Sequence, residues 1–201
     1  MSEGTSVRTT AEDDAQVLGR MRLWLERAVI GLNLCPFAKA VHVKQQVHHA
    51  VCRATDAEPV LEVLRAELLA LQASDPEVRE TSLLILPEGF ADFVDFNELL
   101  VRADRLLRKS RLEQEFQIAS FHPDYQFADA GPHDISNYTN RAPYPTLHLL
   151  REASIDKAVQ AFPDAAEIYE KNMATLERLG HAGWAALGLA ESLGTPPQAN
   201  S

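Results

Sequence analysis

The sequence predicts an α/β fold in which a small, mainly parallel sheet of three to four strands is covered by helices. Segments with apolar residues at helical spacing alternate with short segments rich in valine and leucine. One short segment, residues 81–86, is apolar almost throughout, which is typical of a strand buried on both faces of a parallel sheet. The chain has 201 residues, of which 46% are hydrophobic and 24% charged, as in ordinary globular proteins.

The first part of the chain has the pattern of a helix, a strand and a second helix. Apolar residues recur at helical spacing from Glu12, and this first helix is expected to end near Gly31. Residues 46–53 are rich in valine and flanked by polar residues, which predicts the first strand. Thr55 and Glu58 match the T-x-x-E pattern of a capping box, which predicts the start of the second helix.

The middle of the chain supplies two further strands with a third helix between them. Residues 81–86 are the second strand and residues 116–121 the third. Each strand–helix–strand passage is expected to cross over with a right hand, so that helices cover the sheet. Residues 147–151 fit either a fourth strand or the start of a helix.

The carboxyl-terminal part is predicted to be helical. Ser154 is expected to cap a short helix that ends at Pro163. Asp164 and Glu167 form another capping box, for a helix that stops at Gly180. A last, alanine-rich helix follows.

Both ends of the chain lack a helical or strand-like pattern. Residues 1–10 are small and polar, and residues 194–201 contain two prolines, so both are predicted to be disordered tails. Residues 11–193 are then expected to form a single α/β domain.

The charge and the cysteine content exclude several classes of partner and location. Nineteen basic and 29 acidic side chains give a formal net charge of −10, which repels phosphate backbones and anionic lipid. We therefore expect neither nucleic acid nor a membrane as partner. The sequence shows no secretion signal and only two cysteines, which predicts a cytoplasmic protein.

A long segment, residues 122–145, is rich in proline, aromatic and Asp or Asn residues and has no sustained period. Ordered loops of this length usually have a function. His122 opens the loop directly after the third strand, at the edge of the sheet where ligands of α/β proteins bind. His122 is therefore either a catalytic base or a residue that hydrogen-bonds backbone in a proline-rich turn.

Asn140 and Arg141 precede a Pro-Tyr-Pro turn in the same loop. A guanidinium presents a rigid fork of donors to a carboxylate or a phosphate, so the two residues are candidates for binding a small anion. The alternative is that Arg141 pairs with Asp124 or Asp134 and orders the loop.

Cys35 lies in a segment with features of a reactive thiol. Pro36 suits the first position of a helical turn, which predicts Cys35 as the N-cap of that turn. The helix dipole and Lys39, one turn on, would favour the nucleophilic thiolate. The alternative is a buried structural thiol. Cys52 lies within the first predicted strand and is expected to be a core residue.

The histidines raise the alternative of a metal site. Two histidines and one carboxylate could be drawn from His122, Asp124, His133, Asp134 and His148. No HxH, HExxH or CxxC spacing supports such a site. The glycine patterns of nucleotide-binding loops are also absent, and no cofactor is predicted.

Three separated segments resemble one family of bacterial proteins. They read N-L-C-P-F-A-K at residues 33–39, S-F-H-P-D-Y-Q-F at residues 120–127 and N-R-A-P-Y-P-T-L-H-L-L-R-E at residues 140–152. Together they resemble the family catalogued as domain of unknown function 1415, over nearly the whole chain. The resemblance implies a single-domain protein and no particular activity. It also favours one pocket shared by five residues: Cys35, His122, Arg141, His148 and Arg151.

These observations together predict a cytoplasmic enzyme that acts on a small anionic metabolite at the carboxyl edge of the sheet. Cys35 is the candidate nucleophile, with His122 or His148 as the base. The candidate substrate-binding residues are Asn33, Lys39, Tyr125, Asn140, Arg141 and Arg151. One alternative is a non-catalytic ligand-binding or assembly protein that uses residues 122–145, and a second is the His/Asp metal site.

Overall fold

The computed structural model describes residues 12–161 and 165–189. The predicted tails, residues 1–10 and 194–201, lie outside these described residues. So do the predicted helix end at Pro163 and the predicted cap at Asp164.

The centre of the fold is one sheet of four strands. The strands are β1 (Val47–Val51), β2 (Thr81–Ile85), β3 (Phe116–Phe121) and β4 (Thr146–Arg151). Their order across the sheet is β1-β2-β4-β3. The β1–β2 pair is parallel, whereas β4 runs antiparallel to both β2 and β3. The α/β class and the four-stranded sheet are confirmed, but only one of the three strand pairs is parallel.

The difference from a mainly parallel sheet comes from β4 alone. Because β4 is antiparallel to both of its neighbours, β2 and β3 point in the same direction, and β1 shares it. The two strand–helix–strand passages therefore have the predicted direction. The long loop after β3 brings the chain back into the sheet at the edge where β3 ends, and a strand that enters at that edge must run antiparallel.

The helices cover both faces of this sheet. They are α1 (Asp14–Trp24), a π-helical segment (Leu25–Ile30), α2 (Ala38–Val43), α3 (Ala57–Ala73), α4 (Phe93–Lys109), a short 3-10 helix (Ile135–Thr139), α5 (Glu152–Ala161) and α6 (Ala165–Ala185). In the part of the chain that the structure describes, no helix has the length and apolarity that a membrane span requires.

Several helix boundaries differ from the predicted ones. The N-cap of α3 is Asp56 and not Thr55, and its side chain forms no capping hydrogen bond. Helix α5 begins at Glu152, so Ser154 lies in its first turn and is not the cap. At Gly180, by contrast, the prediction agrees with the structure: Gly180 has a φ of 62°, a conformation that glycine adopts without steric cost, and it divides α6 into two helical parts where one helix was predicted to stop and a last one to begin.

The two faces of the sheet bury separate cores. On one face, which we call the α3/α4 face, leucines of α3 and Phe96 of α4 pack against Leu147 and Leu149 of β4. On the other, the α1 face, Met21 and Trp24 pack against alternate residues of β2. Every residue of β2 is buried, as predicted from its apolar sequence.

Candidate functional site

A cavity of about 400 Å³ opens on the α1 face of the sheet. The sheet contributes alternate residues of its strands, the π-helical segment and α2 form one side, and α5 forms the other. The apolar lining residues include Trp24, Leu25, Val29, Phe37, Val41, Val47, Leu83, Phe121, Leu150, Ile155 and Ala158. The polar or ionisable ones are Cys35, Glu80, Thr81, His148, Arg151 and Ser154. The volume lies in the range usual for small-molecule sites.

Cys35 lines this cavity from the turn that precedes α2. Its carbonyl accepts a hydrogen bond from the Ala38 N–H at 3.2 Å, and α2 begins at Ala38 with Phe37 as N-cap. The predicted N-cap position of Cys35 is therefore wrong, because the helix starts two residues later than Pro36 suggested. Cys52, by contrast, is 5% exposed and lies in the α3/α4 core, as predicted.

Asn33 and Lys39 flank Cys35 in sequence, but both are exposed and neither lines the cavity. Asn33 has a φ of 55°, and its N–H bonds the Ile30 carbonyl at 3.0 Å. Asparagine tolerates this left-handed conformation better than most residues, so Asn33 shapes the turn between the π-helical segment and α2.

His148 lies on β4 and also lines the cavity. Its neighbours Leu147 and Leu149 are buried on the α3/α4 face, so strand alternation turns His148 to the α1 face. The ring lies 5.8 Å from that of Phe121. Burial lowers the pKa of His148 to about 4, so the ring is neutral at pH 7.

A threonine of β2 orients the His148 ring. Thr81 Oγ1 lies 2.8 Å from His148 Nε2 and 2.6 Å from the carbonyl oxygen of Leu149. A carbonyl only accepts, so the single Thr81 hydroxyl proton is donated to Leu149. His148 Nε2 must then carry a proton and donate it to Thr81.

His122 lies on the opposite side of the sheet. The side chain is fully buried, and its ring lies 5.1 Å from the rings of both Phe93 and Phe96. Nδ1 accepts the Asp124 N–H at 3.0 Å, and Nε2 lies 3.0 Å from the Phe90 carbonyl, to which it donates. Burial lowers the pKa of His122. Both ring nitrogens thus form hydrogen bonds with backbone groups. This agrees with the second of the two interpretations of His122 given above, a residue that hydrogen-bonds backbone in a turn, and not with a catalytic base.

Arg141 holds the long loop together through backbone carbonyls. Its Nε donates to Tyr125 at 3.2 Å and Nη2 to Pro132 at 2.9 Å, while the guanidinium lies 4.5 Å from the centre of the Tyr138 ring. The Arg141 carbonyl accepts from the indole N–H of Trp24 at 2.8 Å, which attaches the loop to α1. The loop is ordered by these contacts, and the predicted pairing with an aspartate is not among the ion pairs of the described residues.

Asn140 and Tyr125 belong to the packing of the same loop. The Asn140 carbonyl accepts the His122 N–H at 3.2 Å. The Tyr125 ring packs 5.3 Å from Phe93 and 5.1 Å from Phe127, and burial raises the pKa of its hydroxyl. Neither residue lines the cavity.

Arg151 is the last residue of β4 and pairs with Phe116, the first residue of β3. It therefore lies at the opposite end of the strands from His122, which follows the last residue of β3. Its Nη2 lies 2.7, 2.9 and 3.1 Å from the carbonyl oxygens of Leu71, Ser74 and Arg79. Its guanidinium also lies over the Phe116 ring at 5.8 Å. Arg151 borders the cavity, but its guanidinium is bound at the end of α3.

The expected single pocket of five residues is therefore divided. Cys35 and His148 line the cavity, Arg151 borders it, and His122 and Arg141 lie outside it. The physical reason is strand alternation: Phe121 points to the cavity, so the next residue, His122, points to the other face.

A comparison with models of known protein families finds a match. A family model described as protein of unknown function (DUF1415) matches residues 16–186. The chain belongs to the DUF1415 family. The resemblance drawn from the three segments is thereby confirmed, and all three lie within the matched residues. No curated protein and no solved structure matched the chain.

In this DUF1415 chain, the described residues contain no group of three or more His, Cys, Asp or Glu side chains that could hold a metal ion. The proposed metal ligands are also divided between the faces of the sheet. His122 uses both ring nitrogens for backbone, and His148 points into the cavity on the opposite side.

Sequence reasoning missed Thr81 as a site residue. A threonine at the start of a buried strand was a signal, because a hydroxyl buried there needs a partner. Its partner, His148, is 67 residues away and becomes evident only once β2 and β4 are paired.

Proposed function

We propose that the protein binds a small, largely apolar molecule in the cavity between the sheet, α2 and α5. The observation that supports this is the lining itself, which consists mainly of aliphatic and aromatic side chains around a volume of about 400 Å³. Apolar surface is better covered by an apolar ligand than by water. One alternative drawn from the sequence places a ligand-binding site at residues 122–145, whereas the site proposed here is the cavity on the α1 face.

The small anionic metabolite expected from the sequence has weaker support. Of the described residues that line the cavity, Arg151 is the one with a permanent positive charge, and its guanidinium is engaged by three carbonyls. Arg141 is engaged by two carbonyls outside the cavity. An anion in an apolar cavity without a free cation is poorly stabilised.

Thiol chemistry in the same cavity is a second candidate. Cys35 and His148 line one space, and Thr81 orients the neutral His148 ring as a third group orients the base in nucleophile–base–orienter arrangements. Cys35 Sγ would add to the electrophilic carbon of a polarised double bond in the bound molecule while the π electron pair moves to the other atom of that bond, and His148 Nδ1 would take the thiol proton and pass it to that atom. Among the described residues no hydrogen bond joins Cys35 to His148, so binding has the stronger support.

Filling the cavity tests the binding function. Ala158 of α5 lines the cavity, whereas Ala153 of the same helix is exposed and does not. We expect the fluorescent probe N-phenyl-1-naphthylamine to bind the wild type, Ala158→Trp to weaken binding at least about tenfold, and Ala153→Trp to leave it unchanged. A wild type that fails to bind the probe, or equal binding by both variants, would contradict the proposal.

We retain the cytoplasm as the proposed location. Cys35 and Cys52 are both free thiols, and free thiols persist in a reducing compartment.

A further inference from the structure

The polar chemistry of the cavity is concentrated at the Thr81–His148 pair. Thr81 gives its only proton to the Leu149 carbonyl and accepts one from His148 Nε2. The protein therefore determines the tautomer of the ring. With the proton on Nε2, the other ring nitrogen, Nδ1, has a lone pair and no proton.

His148 Nδ1 has no hydrogen-bond partner among the described residues. Buried side-chain atoms without a hydrogen-bond partner are found in this part of the chain on His49, Thr139 and Arg151. His148 is only partly buried, and it lines the cavity. The free nitrogen is therefore available to a molecule inside the cavity.

The charges around the cavity favour an uncharged ligand. Glu80 borders it, the Arg151 guanidinium is engaged elsewhere, and the chain has a net charge of −10, so an anion is disfavoured. A cation would lose its hydration against a lining that is almost entirely apolar. An uncharged molecule carries neither cost.

We propose that the ligand is an uncharged molecule with an apolar body and one hydrogen-bond donor, a hydroxyl or an N–H, which it donates to His148 Nδ1. This inference rests on the proposed function and adds the chemical class of the ligand. Cavities of about 150 Å³ accept benzene, so a volume of about 400 Å³ suits a body of two or three fused rings. An acceptor placed in a largely apolar cavity selects a donor, because an acceptor on the ligand opposite His148 Nδ1 would leave both groups unpaired.

A matched pair of probes tests this selection. 2-Naphthol has a hydroxyl donor, and 2-methoxynaphthalene has the same ring system without it. We measure the ratio of their dissociation constants by titration calorimetry in the wild type and in His148→Phe, which keeps an aromatic ring and removes the acceptor. The ratio is the dissociation constant of 2-methoxynaphthalene divided by that of 2-naphthol. We expect this ratio to be about three- to tenfold larger in the wild type than in His148→Phe.

His48→Phe is the control variant: it makes the same His-to-Phe substitution on a strand, but outside the cavity. His48 lies on β1, outside the cavity lining, and its side chain is 44% exposed. This variant should keep the wild-type ratio. Equal ratios in the wild type and a folded His148→Phe would overturn the donor inference while leaving the apolar cavity intact. If neither naphthalene probe binds the wild type, the proposed function itself fails.

A measurement on the wild type covers the case in which His148→Phe does not fold. Long-range ¹H–¹⁵N spectra of the histidine rings report which nitrogen carries the proton. We expect the Nε2–H form at His148 and a shift of its Nδ1 resonance on addition of 2-naphthol but not of 2-methoxynaphthalene. A proton on Nδ1, or an identical response to both probes, would overturn the inference.

Discussion

Two histidines of the family signature have different roles because of the side of the sheet to which each points. His122 donates to the Phe90 carbonyl and accepts the Asp124 N–H, so it joins the loop after β2 to the loop after β3. His148 bonds Thr81 and leaves one nitrogen to the cavity. The first role stabilises the loops near the carboxyl edge, and the second suits ligand binding.

The two cysteines also lie on different sides of the sheet, and this difference gives a prediction for thiol labelling. Cys35 lines the cavity and Cys52 is 5% exposed in the core. We expect N-ethylmaleimide to label one thiol per native chain, identified by peptide mass spectrometry as Cys35. The probe N-phenyl-1-naphthylamine should slow this labelling.

Cys35→Ser is expected to abolish native labelling, whereas Cys52→Ala should leave it unchanged. Labelling of Cys52 at a similar rate would show that the core opens readily and would contradict the assignment. Rapid labelling of Cys35 at pH 6 to 7 would in addition support the thiol chemistry raised as a second candidate, since only the thiolate reacts.

At the level of elements, β4 contributes to the α3/α4 core and its last residue contacts the end of α3. β4 pairs with β3 along its whole length and with β2 from Thr146 to Leu149, so it occupies an inner position in the sheet. Arg151 at its end bonds carbonyls at and beyond the end of α3, where helices leave carbonyls without intrahelical partners. The signature segment around His148 therefore also contributes to stability.

Removal of this guanidinium is expected to destabilise the fold. Arg151→Met should lower the free energy of unfolding by about 2–4 kcal/mol, because three carbonyls lose a charged donor. Arg105→Met, at an exposed position of α4, should change it by no more than about 0.5 kcal/mol. Urea unfolding followed by circular dichroism measures both. A loss in Arg151→Met no larger than in Arg105→Met would show that these contacts do not stabilise α3.

At the level of the whole molecule, buried histidines couple stability to pH. Burial lowers the pKa of His48, His49, His122 and His148, the pKa of His49 and His148 reaching about 4. In the unfolded chain the same residues have a pKa near 6.5. Between these values the unfolded state binds more protons than the folded state, so acid favours unfolding.

We therefore expect the free energy of unfolding to fall as the pH decreases from 7 to 4, with the loss starting near pH 6.5. His148 alone accounts for at most about 3 kcal/mol of this loss. Urea unfolding at several pH values measures the slope, which should be smaller in His148→Phe and unchanged in His133→Ala, where the histidine is exposed. A stability that does not change between pH 7 and 5 would contradict the low pKa values.

Much of the architecture could be predicted because it depends on local patterns. Helical spacing of apolar residues and short apolar runs are properties of neighbouring residues, and the resulting helices and strands, including the exact bounds of β3, agree with the structure. The burial of β2 and of Cys52 follows from the same patterns. Helix starts were less predictable, since Asp56 rather than Thr55 caps α3.

The sequence by itself determined the α/β class, the first three strands with the helices between them, and the family to which the chain belongs. The tertiary structure decided where β4 enters the sheet, and with it which side chains share a space. Thr81 and His148 meet only because β2 and β4 pair in one register, and a shift of one residue would turn each side chain to the other face. Contacts between distant segments depend on this pairing, which local patterns do not encode.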